Sequence, residues 1–290
     1  MFRKLLVCAD GSDESDAAVQ CAAHLARRAE ASVDVVHVVD LLAASGVGAY
    51  APEACISEEI VLQYSEEAQQ AILRRAAAVL KASGISYRLH AELGQPVDRI
   101  ERTAERASSD LIVIGSRGMS GWPALLLGSV SEGVARHAPC PVLVVRGQPW
   151  GFHRFVLAVD GSEGSRRAAR AGLAMAKGCS AQVSVLNIVP VNKTVPQATT
   201  EEIMPDTDAV RVQNSIRCEI DELARQVRID CRFIQDVGHP AERLIDYSEK
   251  HRADLIVVGS RGLGGFQRML LGSVSSSVLH HARCSVLVAR

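Results

Sequence analysis

The 290 residues are 48% apolar but only 4% aromatic, enough chain for two ordinary domains with cores built from aliphatic side chains, as layered α/β folds are. A formal net charge of −1 offers no electrostatic case for nucleic acid or an anionic membrane as partner, and no apolar run approaches membrane-spanning length. Charge is mildly asymmetric, with 14 basic and 18 acidic residues through Arg146 against 18 and 15 after it.

In chain order the sequence reads as two passes through one plan. Phe2 to Ala9 predicts a strand running into Asp10-Gly11-Ser12, and His153 to Val159 repeats it into Asp160-Gly161-Ser162. The apolar start stops at Asp10, too early for a secretory signal, so a cytoplasmic protein is expected. Ser12 and Ser162 stand where helix caps belong, with Asp13 and Glu14 in the first turn and Arg27 and Arg28 in the last, complementing the dipole at both ends. A second strand follows, Ser32 to Val39 or Ala181 to Val189. Each pass then enters a stretch without period, Leu41 to Ser57 or Pro190 to Asp206, of a length usually reserved for function. Long amphipathic helices are expected at about Glu58 to Ser83, stopped by Gly84, and Thr207 to Gln226, then third strands at Ile85 to Leu93 and Arg228 to Val237. Pro96 and Pro240 open third helices, at the one helical position where a missing N–H costs nothing.

Each pass ends on the most informative stretch. Leu111 to Ile114 and Leu255 to Val258 read as strands buried on both faces, and each empties into the spacing G-x2-G-x9-G-S: Gly115, Gly118, Gly128, Ser129 and Gly259, Gly262, Gly272, Ser273. Short helices follow, Ser129 to His137 and Ser273 to His281, then closing strands Pro141 to Arg146 and Ser285 to Arg290. Glycines let backbone approach a ligand, and a helix start presents unpaired N–H groups and positive partial charge, so phosphate is the natural guest. The alternative is that the glycines only turn the chain and Ser129 and Ser273 only cap helices; repetition at identical spacing favours phosphate. Likewise Asp10 and Asp160 serve either a ligand or merely an Asx-turn.

Five strands alternating with helices in each half imply two tandem doubly wound domains, residues 1–146 and 154–290 joined by a linker at 147–153, each a five-stranded parallel sheet with helices on both faces. Ligands of such sheets sit outside the carboxyl ends of the strands, where the aspartates and glycine loops fall. The eight cysteines are dispersed without a C-x-x-C pair and read mostly as small core residues, so no zinc site is indicated.

The glycine loop, the Val7-Cys8-Ala9-Asp10-Gly11-Ser12 and Ala158-Val159-Asp160-Gly161-Ser162 turns, and the closing His137-Ala-Pro-Cys-Pro-Val-Leu-Val-Val145 together resemble the universal stress protein family in its tandem, ATP-binding form. The resemblance spans nearly the whole chain apart from the aperiodic stretches. It implies a Rossmann-like fold of the adenine-nucleotide α-hydrolase type and a stress-response protein holding ATP, with or without magnesium, in each domain. Carried over by position, Asp10 and Asp160 would lie against the nucleoside, and the backbone of Val38 and Ile188 would address the adenine edge. Gly115, Gly118, Gly128, Ser129 and Val130 would wrap ribose and phosphates, as would Gly259, Gly262, Gly272, Ser273 and Val274. One departure concerns the basic residue before Leu-Leu-Gly-Ser: the second half has Arg268, the first has Ala124 beside Trp122 and Pro123. Tighter ATP binding in the second domain is therefore expected. Arg117 and Arg261, between loop glycines, either meet phosphate or stay solvated. His137, His280 and His281 end their helices and carry no catalytic expectation.

No Walker lysine, H-E-x-x-H or G-x-S-x-G motif is present, which makes fast phosphoryl transfer implausible. A binding module whose occupancy signals to an unidentified protein partner is the leading expectation. Slow ATP hydrolysis, autophosphorylation at a serine such as Ser129, and binding of AMP or cyclic AMP are the alternatives. In the family, closing strands pair two domains, so Val142 to Val145 and Val286 to Ala289 are expected to form an internal pseudo-dimer, with further homodimerisation left open.

Overall fold

The computed structural model describes residues 1–40, 58–118, 127–147, 151–190, 207–262 and 271–290, with side chains of the two long helices described from Glu66 and Arg211 onward. The aperiodic stretches 41–57 and 191–206 lie outside the described residues, as do Trp122, Pro123, Ala124, Arg268 and linker positions 148–150. The chain forms two compact units, Phe2–Pro149 and Trp150–Arg290.

In the first unit the order is β1 (Lys4–Cys8), α1 (Asp13–Ala29), β2 (Ser32–Val39), α2 (Glu58–Ala82), β3 (Tyr87–Leu93), α3 (Pro96–Ala107), β4 (Leu111–Gly115), α4 (Ser129–His137) and β5 (Val142–Val145). Its strands lie side by side as β3-β2-β1-β4-β5, all parallel, with helices on both faces. Covering a sheet on both sides leaves no face for polar residues, which is why β4 and β5 are buried throughout. The edge strand β3 is half exposed along its length.

The second unit repeats this with β6 (Arg154–Val159), α5 (Glu163–Cys179), β7 (Gln182–Val189), α6 (Thr207–Val227), β8 (Cys231–Val237), α7 (Pro240–Lys250), β9 (Leu255–Gly259), α8 (Ser273–His281) and β10 (Ser285–Ala289). Its parallel order is β8-β7-β6-β9-β10.

Helix ends explain where strand boundaries depart from expectation. Gly84 closes α2 at φ +69° while the Ile85 amide bonds back to the Leu80 carbonyl, so β3 starts at Tyr87 rather than Ile85. Arg228 takes the same left-handed role at φ +55° after α6, with Ile229 bonding back to Ala224, and β8 therefore begins at Cys231. A non-glycine residue in that conformation gives no warning in sequence.

Candidate functional site

In each unit the chain runs outward through three strands and then returns to the other side of the first one. The loops leaving β1 and β4, or β6 and β9, consequently diverge at their carboxyl ends and open a crevice at the switch in strand order. Asp10 and Gly115 stand on its two banks in the first unit, Asp160 and Gly259 in the second.

Each aspartate does two things. Asp10 Oδ1 accepts from the Ser12 amide (2.9 Å) and hydroxyl (2.6 Å), and Asp160 Oδ1 accepts from the Ser162 amide (2.9 Å), so the Asx-turn is real. The other oxygen faces the glycine loop: a Cβ on Gly118 would stand 2.5 Å from Asp10 Oδ2, and one on Gly262 equally close to Asp160 Oδ2. Ser12 and Ser162 then cap α1 and α5 through the Ser15 and Ser165 amides.

The first glycine of each loop answers to helix packing. A Cβ on Gly115 would meet the Glu14 carbonyl at 2.8 Å, and one on Gly259 the Gly164 carbonyl at 2.6 Å, so α1 and α5 lean on the strand ends with backbone against backbone. The Gly115 carbonyl is taken by the Ser131 hydroxyl (2.7 Å) and the Gly259 carbonyl by that of Ser275 (2.5 Å), fastening α4 and α8 to the sheet.

Ser129 and Ser273 are not caps. The caps are Gly128 and Gly272, which carry no side chain and make no side-chain cap bond, while both serines are exposed first residues of their helices. The cap amides are spent on the Ser116 and Ser260 carbonyls (2.8 Å each). Among the described residues nothing accepts from the N–H groups of Ser129 and Val130, or of Ser273 and Val274. Two helix-start donors are thus held open beside each crevice.

The strand ends supply a second open edge. The Val36 carbonyl accepts from the Ala9 amide and the Val39 carbonyl from the Gly94 amide, so alternation turns the backbone of Val38 toward β1, past that strand's last residue. Ile188 stands likewise beyond Val159. Sequence reasoning missed the polar residues that stitch this split: buried His37 holds the Ala9 carbonyl through Nδ1 at 2.7 Å, and buried Asn187 donates to the Val159 carbonyl at 2.8 Å. Asn187 Oδ1 is buried with no partner among the described residues. The available signal was a polar residue near the carboxyl end of each strand, His37 in SVDVVHVV and Asn187 in QVSVLNIV.

Charge separates the two crevices. Arg117 is bound by Glu14 at 2.6 Å, whereas Arg261 is exposed and has no carboxylate partner among the described residues, because Gly164 stands where Glu14 does. Burial, with Asp13 and Asp10 adding and Arg75 opposing, pushes the Asp16 carboxyl above the ordinary aspartate range. Arg268 falls outside the described residues, and among those described no cluster of three or more His, Cys, Asp or Glu could hold a metal ion. A cleft of about 460 Å³ beside β3 lies elsewhere; there buried Asp34 grips Arg88 at 3.0 Å and His90 at 2.6 Å, leaving its charges paired.

The cysteines divide by environment. Cys8, Cys21, Cys140 and Cys179 are core residues as expected, but Cys218 is exposed and Cys231 and Cys284 half-buried. Burial, then the charge of Asp10, drives the Cys8 thiol far above its normal range, so it stays protonated. Iodoacetamide at pH 8 should modify Cys218 early and Cys8 last in the native chain; peptide mass mapping that finds both at equal rates contradicts this.

Among the described residues no helix is long and apolar enough to cross a membrane. The sequence model of the universal stress protein family matches residues 1–146 and again 151–290. A universal stress protein of Mycolicibacterium smegmatis is 31% identical over 294 residues, 99% of this chain and 96% of that protein. Universal stress protein YxiE of Bacillus subtilis is 37% identical over 151 residues, covering 50% of this chain and all (100%) of its own. The crystal structure of a universal stress protein from Archaeoglobus fulgidus superposes with a TM-score of 0.73 at 24% identity, covering 99% of this chain and 98% of that one, which bears on fold. The chain belongs to the universal stress protein family, with one family domain matched in each half.

Proposed function

We propose that each unit binds an adenine nucleotide, ATP in the first instance, and that occupancy is a conformational signal in a cytoplasmic stress response rather than a step in fast catalysis. The observation that carries this is the glycine-capped, otherwise uncapped start of α4 and α8, set twice at the switch in strand order. Phosphates would take the N–H groups of Ser129 and Val130, or Ser273 and Val274, approaching over Gly118 and Gly128, or Gly262 and Gly272. Gly115 and Gly259 would frame the site by letting the neighbouring helix close on it. Ribose hydroxyls suit Asp10 Oδ2 and Asp160 Oδ2, and the outward backbone of Val38 and Ile188 suits an adenine edge. The buried acceptor Asn187 Oδ1 is answered by a water or a ligand N–H at the same edge. Magnesium, where it accompanies ATP, would arrive as the counter-ion of the polyphosphate.

Isothermal titration of the full chain with ATP should show saturable binding, and ligand at 100 times the dissociation constant should stabilise the fold by about 2.7 kcal/mol. Millimolar ATP that gives neither heat nor a shift in melting temperature overturns the proposal. Steady phosphate release over many turnovers would instead make the protein an enzyme.

A further inference from the structure

Both crevices share backbone geometry, yet the side chains around them differ in one direction. At the second position of the first helix, Glu14 in the first unit corresponds to Gly164 in the second. At the fourth position of the helix behind the glycine cap, Glu132 corresponds to Ser276, so α8 has no acidic residue in its first turn. A third exchange is a reversed ion pair. Asp16 of α1 binds Arg75 of α2 in the first unit, whereas Arg166 of α5 binds Glu219 of α6 at 2.8 Å in the second. The two bridges are equivalent, because Gly11 abuts Ile72 as Gly161 abuts Ile216, three residues earlier on the same helices. The cation has therefore moved from the distant helix to the one that borders the crevice.

These exchanges act on an anion. Glu14 holds Arg117, and Glu132, paired with Arg136 at 2.5 Å, sits within the first turn of the α4 dipole, so the first cradle meets additional phosphate charge with its nearby cations already matched by carboxylates. In the second cradle Arg261 has no such partner among the described residues, and the dipole of α8 has no acidic residue in its first turn to answer it.

Building on the nucleotide reading, we infer that the two cradles sort adenosine ligands by charge: the second favours the polyphosphate, and the first, weaker for ATP, favours ligands with a single phosphate. Glu14 and Glu132 are the residues that set the difference. They act by engaging Arg117 and Arg136, cations that would otherwise answer added charge, so discrimination comes from what the site withholds as well as from what it offers.

The test uses the full chain with one cradle blocked at a time, Gly272→Asp leaving the first and Gly128→Asp leaving the second, each titrated with ATP and with AMP. The ratio of ATP to AMP affinity should be roughly tenfold or more higher in the Gly128→Asp chain than in the Gly272→Asp chain. Adding Glu14→Gln and Glu132→Gln to the Gly272→Asp chain should raise ATP affinity about tenfold while AMP changes by less than about threefold. Equal ratios in the two singly blocked chains, or a first-cradle ratio indifferent to loss of both glutamates, overturn charge sorting and leave nucleotide binding standing. If both singly blocked chains bind ATP with the stoichiometry and affinity of the wild type, the site lies elsewhere and both readings fall.

Discussion

Replacing Gly272 by aspartate should abolish nucleotide binding in the second unit, with a loss of roughly a hundredfold or more in ATP affinity, while the ligand-free protein melts where it did before. Gly272 caps α8 at φ −69°, ψ 154°, a conformation open to any residue, and a Cβ there would meet nothing closer than the Ser260 carbonyl at 3.5 Å. Aspartate is a good cap and differs from glycine by only a few tenths of a kcal/mol, so folding is preserved or slightly helped. Its carboxylate would occupy the N–H groups that phosphate needs and repel the phosphate as well, forfeiting charge-assisted bonds of about 1.5–3 kcal/mol each. Differential scanning calorimetry and titration calorimetry on one preparation separate the two effects. Full ATP binding by this variant would remove the helix start from the site, and a collapsed melting temperature would show that the cap conformation had been misjudged.

The second large effect is one of stability, and it differs between equivalent positions. Gly164→Ala should destabilise the second unit by about 2–3 kcal/mol, because the added methyl would stand 2.1 Å from the Arg261 carbonyl and backbone must shift to accept it. Glu14→Ala, at the corresponding place in the first unit, should cost no more than about 1 kcal/mol, because Glu14–Arg117 is a half-buried, solvent-screened ion pair and no backbone has to move. Urea unfolding of the two variants gives both numbers. Equal costs would mean that α5 does not approach its glycine loop more closely than α1 does.

Elements with local punctuation were legible in the sequence. The run Ser32–Val39 and the helices Ser129–His137 and Ser273–His281 fall where pattern, glycine and caps place them, and the parallel architecture followed from alternation alone. Misses came from effects that sequence does not carry locally. Arg228 stops a helix in a conformation normally left to glycine, and the alternative that Ser129 and Ser273 only cap their helices gives way because Gly128 and Gly272 hold that place. Glu14 and Arg117 lie far apart in the chain and meet only because Gly115 lets a helix rest on the end of β4. Weaker polyphosphate binding in the first unit was expected from Ala124 and Arg268, which lie outside the described residues; the proposed charge sorting argues for the same sign from Glu14 and Arg117 instead.

The bonds from Gly128 to Ser116 and from Gly272 to Ser260 have a further consequence. Each ties the described entry and exit points of the glycine loop together at 2.8 Å, closing its neck. Lengthening such a loop costs only ring-closure entropy, about 0.6 kcal/mol for each doubling, and transmits no strain to strand register. The fold can therefore host insertions of varied length at the mouth of the proposed nucleotide site, which makes that neck the natural place to graft a reporter or a new recognition segment.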